Sequence, residues 1–225
     1  MAAAATIAAL SSASGLLAML SEPHPALKLH ALGNLNSLMH LFWPEISTSV
    51  PTMSVKTCSS PPSLRPSRLY PFSGESLYED EEFEQRQLAA LVASKVFYYL
   101  GELNDSLSYA LGAGALFDVS EDSDYAHTLL AKAIEEYASF KSKPSSLNEE
   151  AAKIDPRLEA IVERMLDKCI LDEKYQQAMG MAVECRRLDK LEEPIMHSDN
   201  HSGALSYCIN LSHSFVNQRE YRSEV

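Results

Sequence analysis

His197-Ser-Asp-Asn-His201 sets two imidazoles four residues apart. On one helix face such a pair can hold a metal ion, with Cys208 and His213 as further donors. The residues between them argue otherwise. Ser198, Asp199 and Asn200 hydrogen-bond their local backbone and favour a turn or an N-cap over a continuous helix. The glutamate of a His-Glu-x-x-His hydrolase motif is absent, and no zinc-finger spacing occurs. The pair reads as solvated loop histidines.

Four cysteines, Cys58, Cys169, Cys185 and Cys208, include no C-x-x-C pair. Thiol catalysis needs a thiolate in an electropositive, accessible setting. Cys185, followed by Arg186 and Arg187, is the best candidate, whereas Cys169 and Cys208 sit in apolar stretches. The bland expectation is small buried hydrophobes in a reducing compartment, without a disulfide framework. Gly112-Ala-Gly114 lies inside a helical pattern, with no preceding strand and no following Lys-Ser/Thr, so it is not a phosphate loop. No Gly-x-Ser-x-Gly elbow, kinase set or dinucleotide fingerprint is present. The many carboxylates fit acidic helix faces better than acid–base work. Asn104, Asn200 and Asn210 match N-x-S/T by chance.

The elements that would have to position such groups read as helices. An Ala- and Leu-rich first helix is expected over 4–20, interrupted by Ser21-Glu-Pro-His-Pro25. A second follows over 26–43, with Leu32, Leu35, Met39 and Phe42 on one stripe, and Trp43-Pro44 is expected to end it. Residues 53–74 hold four prolines, six serines, three basic residues and no acidic one. They read as an irregular, dispensable, insert-like loop, with polyproline-ligand character in Pro61-Pro-Ser-Leu-Arg-Pro66 as the sharper alternative.

The acidic run Glu79–Glu82 precedes a helix over 83–100, where it would favour the helix dipole. Leu88, Leu91, Val92, Val96 and Tyr99 form that helix's stripe, and Gly101 is its stop. A helix over 106–117 contains Gly112 and Gly114, which allow a neighbour to approach. Ala126, Leu129, Leu130, Ala133, Ile134 and Tyr137 recur at helical spacing, as do Leu158, Ile161, Val162, Met165, Leu166 and Cys169 behind an Asp155-Pro156 start. Units over 157–172, 174–187, 188–196 and 202–217, joined by short connections, form antiparallel hairpins. The fold expected is all-α: stacked antiparallel helical hairpins in an α-solenoid rod, with one irregular Pro/Ser-rich loop. Its parts are helices over 1–52, the loop 53–74, hairpins over 75–141, a linker over 142–154 and helical repeats over 155–225. Each hairpin must stack on a neighbour to bury its apolar face, so the C-terminal end is expected to be sticky.

Charge narrows the partners. Residues 1–74 hold four basic and two acidic side chains, leaving fifteen basic and twenty-nine acidic ones, net −14, in 75–225. A surface this acidic repels nucleic-acid backbones and favours basic proteins. No positive region precedes the apolar N-terminus as a secretory signal requires, and no stretch is apolar enough to span a membrane. Phe97, Tyr98, Tyr99, Tyr125, Tyr137 and Phe140 lie at helical spacing and read as core or inter-helix packing. With Tyr175, all but Phe140 are also the candidate protein-interaction anchors.

Three stretches carry a family resemblance: LAMLSEPHPALKLHALGNLNSLMHLFWPEIS (17–47), the run from Glu75 to Lys141, and DPRLEAIVERMLDKCI (155–170). They resemble the large non-ATPase base-subunit family of the 26S proteasome regulatory particle, its plant members most of all. AMGMAVECRRLDKLEEPI and ALSYCINLSHSFVNQREYR continue the likeness. The resemblance implies a non-catalytic, cofactor-free scaffold in the cytoplasm and nucleus, acting in ubiquitin-dependent degradation. Its implied partners are lid and ATPase-base subunits, with no nucleic acid, membrane or small-molecule substrate. It also implies a toroid of proteasome/cyclosome repeats beyond the stretch seen here. Residues 194–203 depart from the family's helix-rich pattern and put the last hairpins in question. The rival readings are a free-standing helical adaptor, a truncated product without assembled function, and a small hydrolase or metal protein around His197, His201 and Cys208.

Overall fold

A computed structural model describes residues 12–49, 77–142, 154–216 and 219–224. All regular structure among them is helical, as the periodicity predicts. The chain forms two compact units, Met1–Phe117 and Asp118–Val225. The loop expected over 53–74, the start of the first helix and all but the ends of the 142–154 linker lie outside the described residues.

The first unit opens with the pair α1 (Ala13–Leu20) and α2 (Pro25–Ser49). Their facing stripes, Leu16 and Leu20 against Leu32, Leu35 and Met39, are buried in one cluster that also takes in Val92 and Val96. The free N–H groups at the start of α1 are satisfied twice. Ser12 Oγ accepts from Gly15 N at 3.2 Å, and the Glu45 carboxylate accepts from Ala13 N and Ser14 N, each at 3.3 Å.

That last contact bears on a correction, because α2 does not end at Trp43-Pro44. It runs through Pro44 to Ser49. An interior proline removes one helix hydrogen bond and costs roughly 3 kcal/mol. Tertiary contacts beyond it offset that cost: Ile46 is fully buried, Trp43 stacks on Tyr99 with centroids 5.1 Å apart, and Glu45 reaches α1.

After a helical turn at 77–79 come α3 (Arg86–Leu100) and α4 (Leu103–Ala113). The acidic run lies outside the first turn of α3, which holds no acidic residue, so it does not act on that helix's dipole as expected. Instead Asp80 Oδ1 accepts from Glu82 N in a local turn, and Arg86 Nε donates to Tyr78 O at 2.8 Å. Gly101 ends α3 at φ +80°, with its own N–H and that of Glu102 bonded back to Tyr98 and Phe97 carbonyls. The expected helix over 106–117 begins earlier and stops at Ala113, because Gly114 turns to φ +58° and a 3-10 turn, Gly114–Leu116, follows. Across the α3–α4 seam, buried Ser94 and Ser106 each donate a hydroxyl to the other's carbonyl at 2.7 Å. Gly112 gives the close approach expected of it: a Cβ there would fall 2.6 Å from the Tyr78 hydroxyl.

The second unit comprises α5 (Asp124–Ser142), α6 (Pro156–Leu171), α7 (Tyr175–Glu184), α8 (Glu192–His197), α9 (His201–Phe215) and α10 (Arg219–Glu224), with a 3-10 turn at Leu188–Lys190. Most of each expected stripe is buried, Ala126, Leu129, Leu130, Ala133 and Tyr137 on α5 and Leu158, Ile161, Val162 and Leu166 on α6, while Ile134, Met165 and Cys169 are half-buried. Asp155 caps α6 by accepting from Arg157 N, with Pro156 in the first turn. The α6–α7 and α7–3-10 connections each turn through a non-glycine residue in the left-handed region, Glu173 at φ 59° and Arg186 at φ 53°. Behind them Lys174 N and Arg187 N bond back to the Cys169 and Ala182 carbonyls, which is how a helix end disposes of its last acceptors. The hairpins put in question by residues 194–203 do form. Ser198 is extended at φ −70°, ψ 134°, between α8 and α9, and Asn200 caps α9 through Gly203 N.

Candidate protein-interaction surface

The chemistry-bearing residues do not converge. His197 closes α8 and His201 opens α9, so the extended Ser198 breaks the face they would share. His197 is exposed, its Nδ1 2.9 Å from Glu193 O and its ring stacked on Tyr175 with centroids 6.5 Å apart. Cys208 is buried with its thiol donating to Met179 Sδ at 3.5 Å. Among the described residues no three His, Cys, Asp or Glu side chains form a metal-binding group. Cys185 is fully buried and burial pushes its thiol up to about 12, the reverse of an activated nucleophile. Burial also raises Cys169 and Cys208, while Cys58 lies outside the described residues.

Of the candidate anchors, Phe97, Tyr125 and Tyr137 are packed inside their own units. Phe97 stacks on Tyr109 at 5.2 Å, and Tyr137 donates its hydroxyl to Glu159 Oε1 at 3.3 Å. Burial raises the Tyr137 hydroxyl's pKa first, with the Glu159 charge adding to it. Tyr98, Tyr99 and Tyr175 are half-buried and keep an accessible edge. Tyr98 and Tyr99 stand edge to face at 5.2 Å beside Trp43, giving the first unit a partly exposed aromatic group of the kind enriched at protein interfaces. Tyr175 lines a depression between the start of α7 and the α8–α9 turn.

Periodicity did not reveal the charged cluster on the second unit. Arg187, 12% exposed at its side chain, grips Asp189 with two bonds of 2.9 and 2.7 Å and gives Nη2 to Glu163 at 2.6 Å. Its Nη1 faces Glu159 Oε1 at 3.6 Å, an ion-pair distance too long for a hydrogen bond. These bonds hold the Glu163 and Asp189 carboxyls below their ordinary range. The only sequence signal was a basic pair after α7 followed by Asp189, with carboxylates at positions 159 and 163 one helix turn apart. The cluster locks α6 to the turn after α7; it is a structural clamp, with no reactive group at its centre.

Antiparallel helical hairpins whose distinctive side chains serve packing and surface contacts define a helical-repeat protein. Residues 11–57 and 73–225 match the family described as 26S proteasome subunit RPN2, N-terminal domain, and the chain belongs to that family. It is 71% identical over 217 residues to the 26S proteasome non-ATPase regulatory subunit 1 homolog A of Arabidopsis thaliana, covering 96% of this chain and 19% of that one. It is 40% identical over 216 residues to the Drosophila melanogaster 26S proteasome non-ATPase regulatory subunit 1, with 96% and 19% covered. With the 26S proteasome regulatory subunit RPN2 of Saccharomyces cerevisiae it shares 33% identity over 225 residues, covering 96% and 22%. The chain thus spans about one fifth of the length of the curated relatives it matches. The family match skips 58–72, within the Pro/Ser-rich stretch, and runs unbroken through 194–203.

Proposed function

We propose that this chain acts as a non-catalytic scaffold element of the 26S proteasome regulatory particle, in ubiquitin-dependent protein degradation, through contacts with other proteasome subunits. The observation that carries the reading is the family match over 11–57 and 73–225 together with 71% identity to a plant regulatory subunit. The fold is in keeping with it: stacked helical hairpins with one apolar and one charged face present long surfaces to partners. Lid and ATPase-base subunits are the partners we propose, and cytoplasm and nucleus the compartments. Half-exposed Tyr98, Tyr99 and Tyr175 are the anchors best placed to touch them.

The test is affinity capture of the tagged chain from its native cells, with the accompanying proteins quantified by mass spectrometry. Lid and ATPase subunits are expected together and in stoichiometric amounts. Capture of the chain without either would overturn the assignment and favour a free-standing adaptor.

A further inference from the structure

Arg186 and Arg187 leave the end of α7 together and take separate tasks. Arg187 enters the carboxylates of α6, while the Arg186 guanidinium lies over the Tyr221 ring of α10, 4.6 Å from its centroid. That distance is within cation–π range. Tyr221 is buried and donates its hydroxyl to Val183 O at 2.7 Å. Val183 O is one of the last carbonyls of α7, the groups a helix cannot satisfy from within. It also accepts from Arg186 N, at the longer distance of 3.2 Å, and Arg187 N bonds back to Ala182 O at 2.8 Å. One turn, 185–187, therefore carries both the seat of Tyr221 and the aim of Arg187.

This joint makes α10 a conditional element. A helix of six residues does not stand alone in water, because its nucleation cost is spread over too few hydrogen bonds. Its structure depends on ties to the ends of other helices. Tyr221 reaches α7, and Arg222 donates from Nε and Nη2 to Val216 O, just after α9, at 3.1 and 2.7 Å. On the other side of the turn Arg187 is held with little slack, bonded to Glu163 at 2.6 Å and to Asp189 at 2.7 Å. Arg186 separates the two contacts at φ 53°, a conformation disfavoured for a residue with a Cβ. The Tyr221 contacts hold it there.

We propose that α10 is a latch: docking of Tyr221 on the end of α7 positions Arg187 in its clamp on α6, so release of α10 loosens the α6–α7 hairpin. The proposal concerns the chain alone and does not rest on the assembly reading. Glu163 is the reporter, because it lies on α6, bonds Arg187 and is otherwise faced by Lys190 at 4.0 Å. The test is titration of the side-chain carboxyls of the ¹³C-labelled full chain by NMR. Arg187→Met should bring Glu163 up toward its ordinary 4.5. Tyr221→Leu should produce at least about a third of that rise at a distance from the substituted residue. Tyr221→Phe, which removes the hydroxyl alone, should move Glu163 the same way by less, and it keeps the test open where the leucine variant does not fold. Asp155, held low by its neighbour Arg157, should stay unchanged in all three. On the Arg187→Met background, Tyr221→Leu should add nothing. Unchanged Glu163 titration in both Tyr221 variants would overturn the proposal. So would a rise of Asp155 alongside Glu163, which marks general loosening of the unit, or an undiminished Tyr221→Leu effect on the Arg187→Met background.

Discussion

Single residues in this chain hold conformations or charges that only their neighbours explain. Glu173 sits in the left-handed region, which costs an L residue with a Cβ about 1–2 kcal/mol. Glu173→Gly should therefore raise the stability of the second unit by about 1 kcal/mol, read as a higher urea midpoint. A destabilised Glu173→Gly variant would show that the side chain is needed by the fold itself. Arg187 gives a pH prediction. Glu163 and Asp189, ordinarily at 4.5 and 3.8, are held lower by its hydrogen bonds. Their stabilisation is complete above the ordinary values and is lost as pH falls through the depressed ones. Arg187→Met should flatten the fall in thermal midpoint between about pH 5 and pH 2. At neutral pH its cost should be about 1–2 kcal/mol, below that of a fully buried pair, because the carboxylates are already 40–58% exposed.

At the scale of elements, the tightest joint is the α3–α4 seam, where Ser94 and Ser106 are wholly buried and bond each other's backbone. Ser94→Ala loses one neutral hydrogen bond, about 1 kcal/mol. Ser94→Val adds bulk to a close-packed seam as well and should cost about 1–3 kcal/mol by urea denaturation. Equal stability of the two variants would mean that the helices can spread there. What was legible in the sequence at this scale is what periodicity encodes: the stripes on α5 and α6, the Asp155-Pro156 start and the Gly101 stop all depend on residues within a turn or two of each other. The run of α2 through Pro44 was not legible, because the local rule says stop and the contacts that override it come from Tyr99 and from α1. The Arg187 clamp was hidden for the same reason. Glu163 and Arg187 lie 24 positions apart and meet only because Arg186 turns left-handed. Of the depression between α7 and the α8–α9 turn, the sequence singled out Tyr175, but nothing local brings Met179 and Ala204, from separate helices, to line it together.

For the whole molecule, the family match and the charge pattern each lead to an experiment. The match skips 58–72, so excising those residues shortens the connection between α2 and the turn at Leu77 by about half. Loop-closure entropy then changes by only about 0.6 kcal/mol, and helicity and thermal unfolding should be nearly unchanged. A large loss of stability would show that 58–72 carries contacts the family does without. Charge governs the second experiment. With net −12, copies of this chain repel each other over most of their surface. Within the acidic part 75–225 the longest run without Asp, Glu, Lys or Arg is 200–218, and on α9 it leaves Leu205 and Ile209, four residues apart, 51% and 55% exposed. An uncharged face with two large apolar side chains on one helical line combines weak repulsion with apolar gain. Two side chains fill little of the roughly 800 Å² per partner of a stable dimer, so pairing should be weak. Raising salt from about 0.01 M to 1 M shortens the screening length from about 30 Å to 3 Å and should bring out a reversible dimer in sedimentation velocity. Ile209→Glu should abolish that dimer by placing like charges across the pairing face. Salt-independent behaviour, or association untouched by Ile209→Glu, would move the adhesive face elsewhere on the chain.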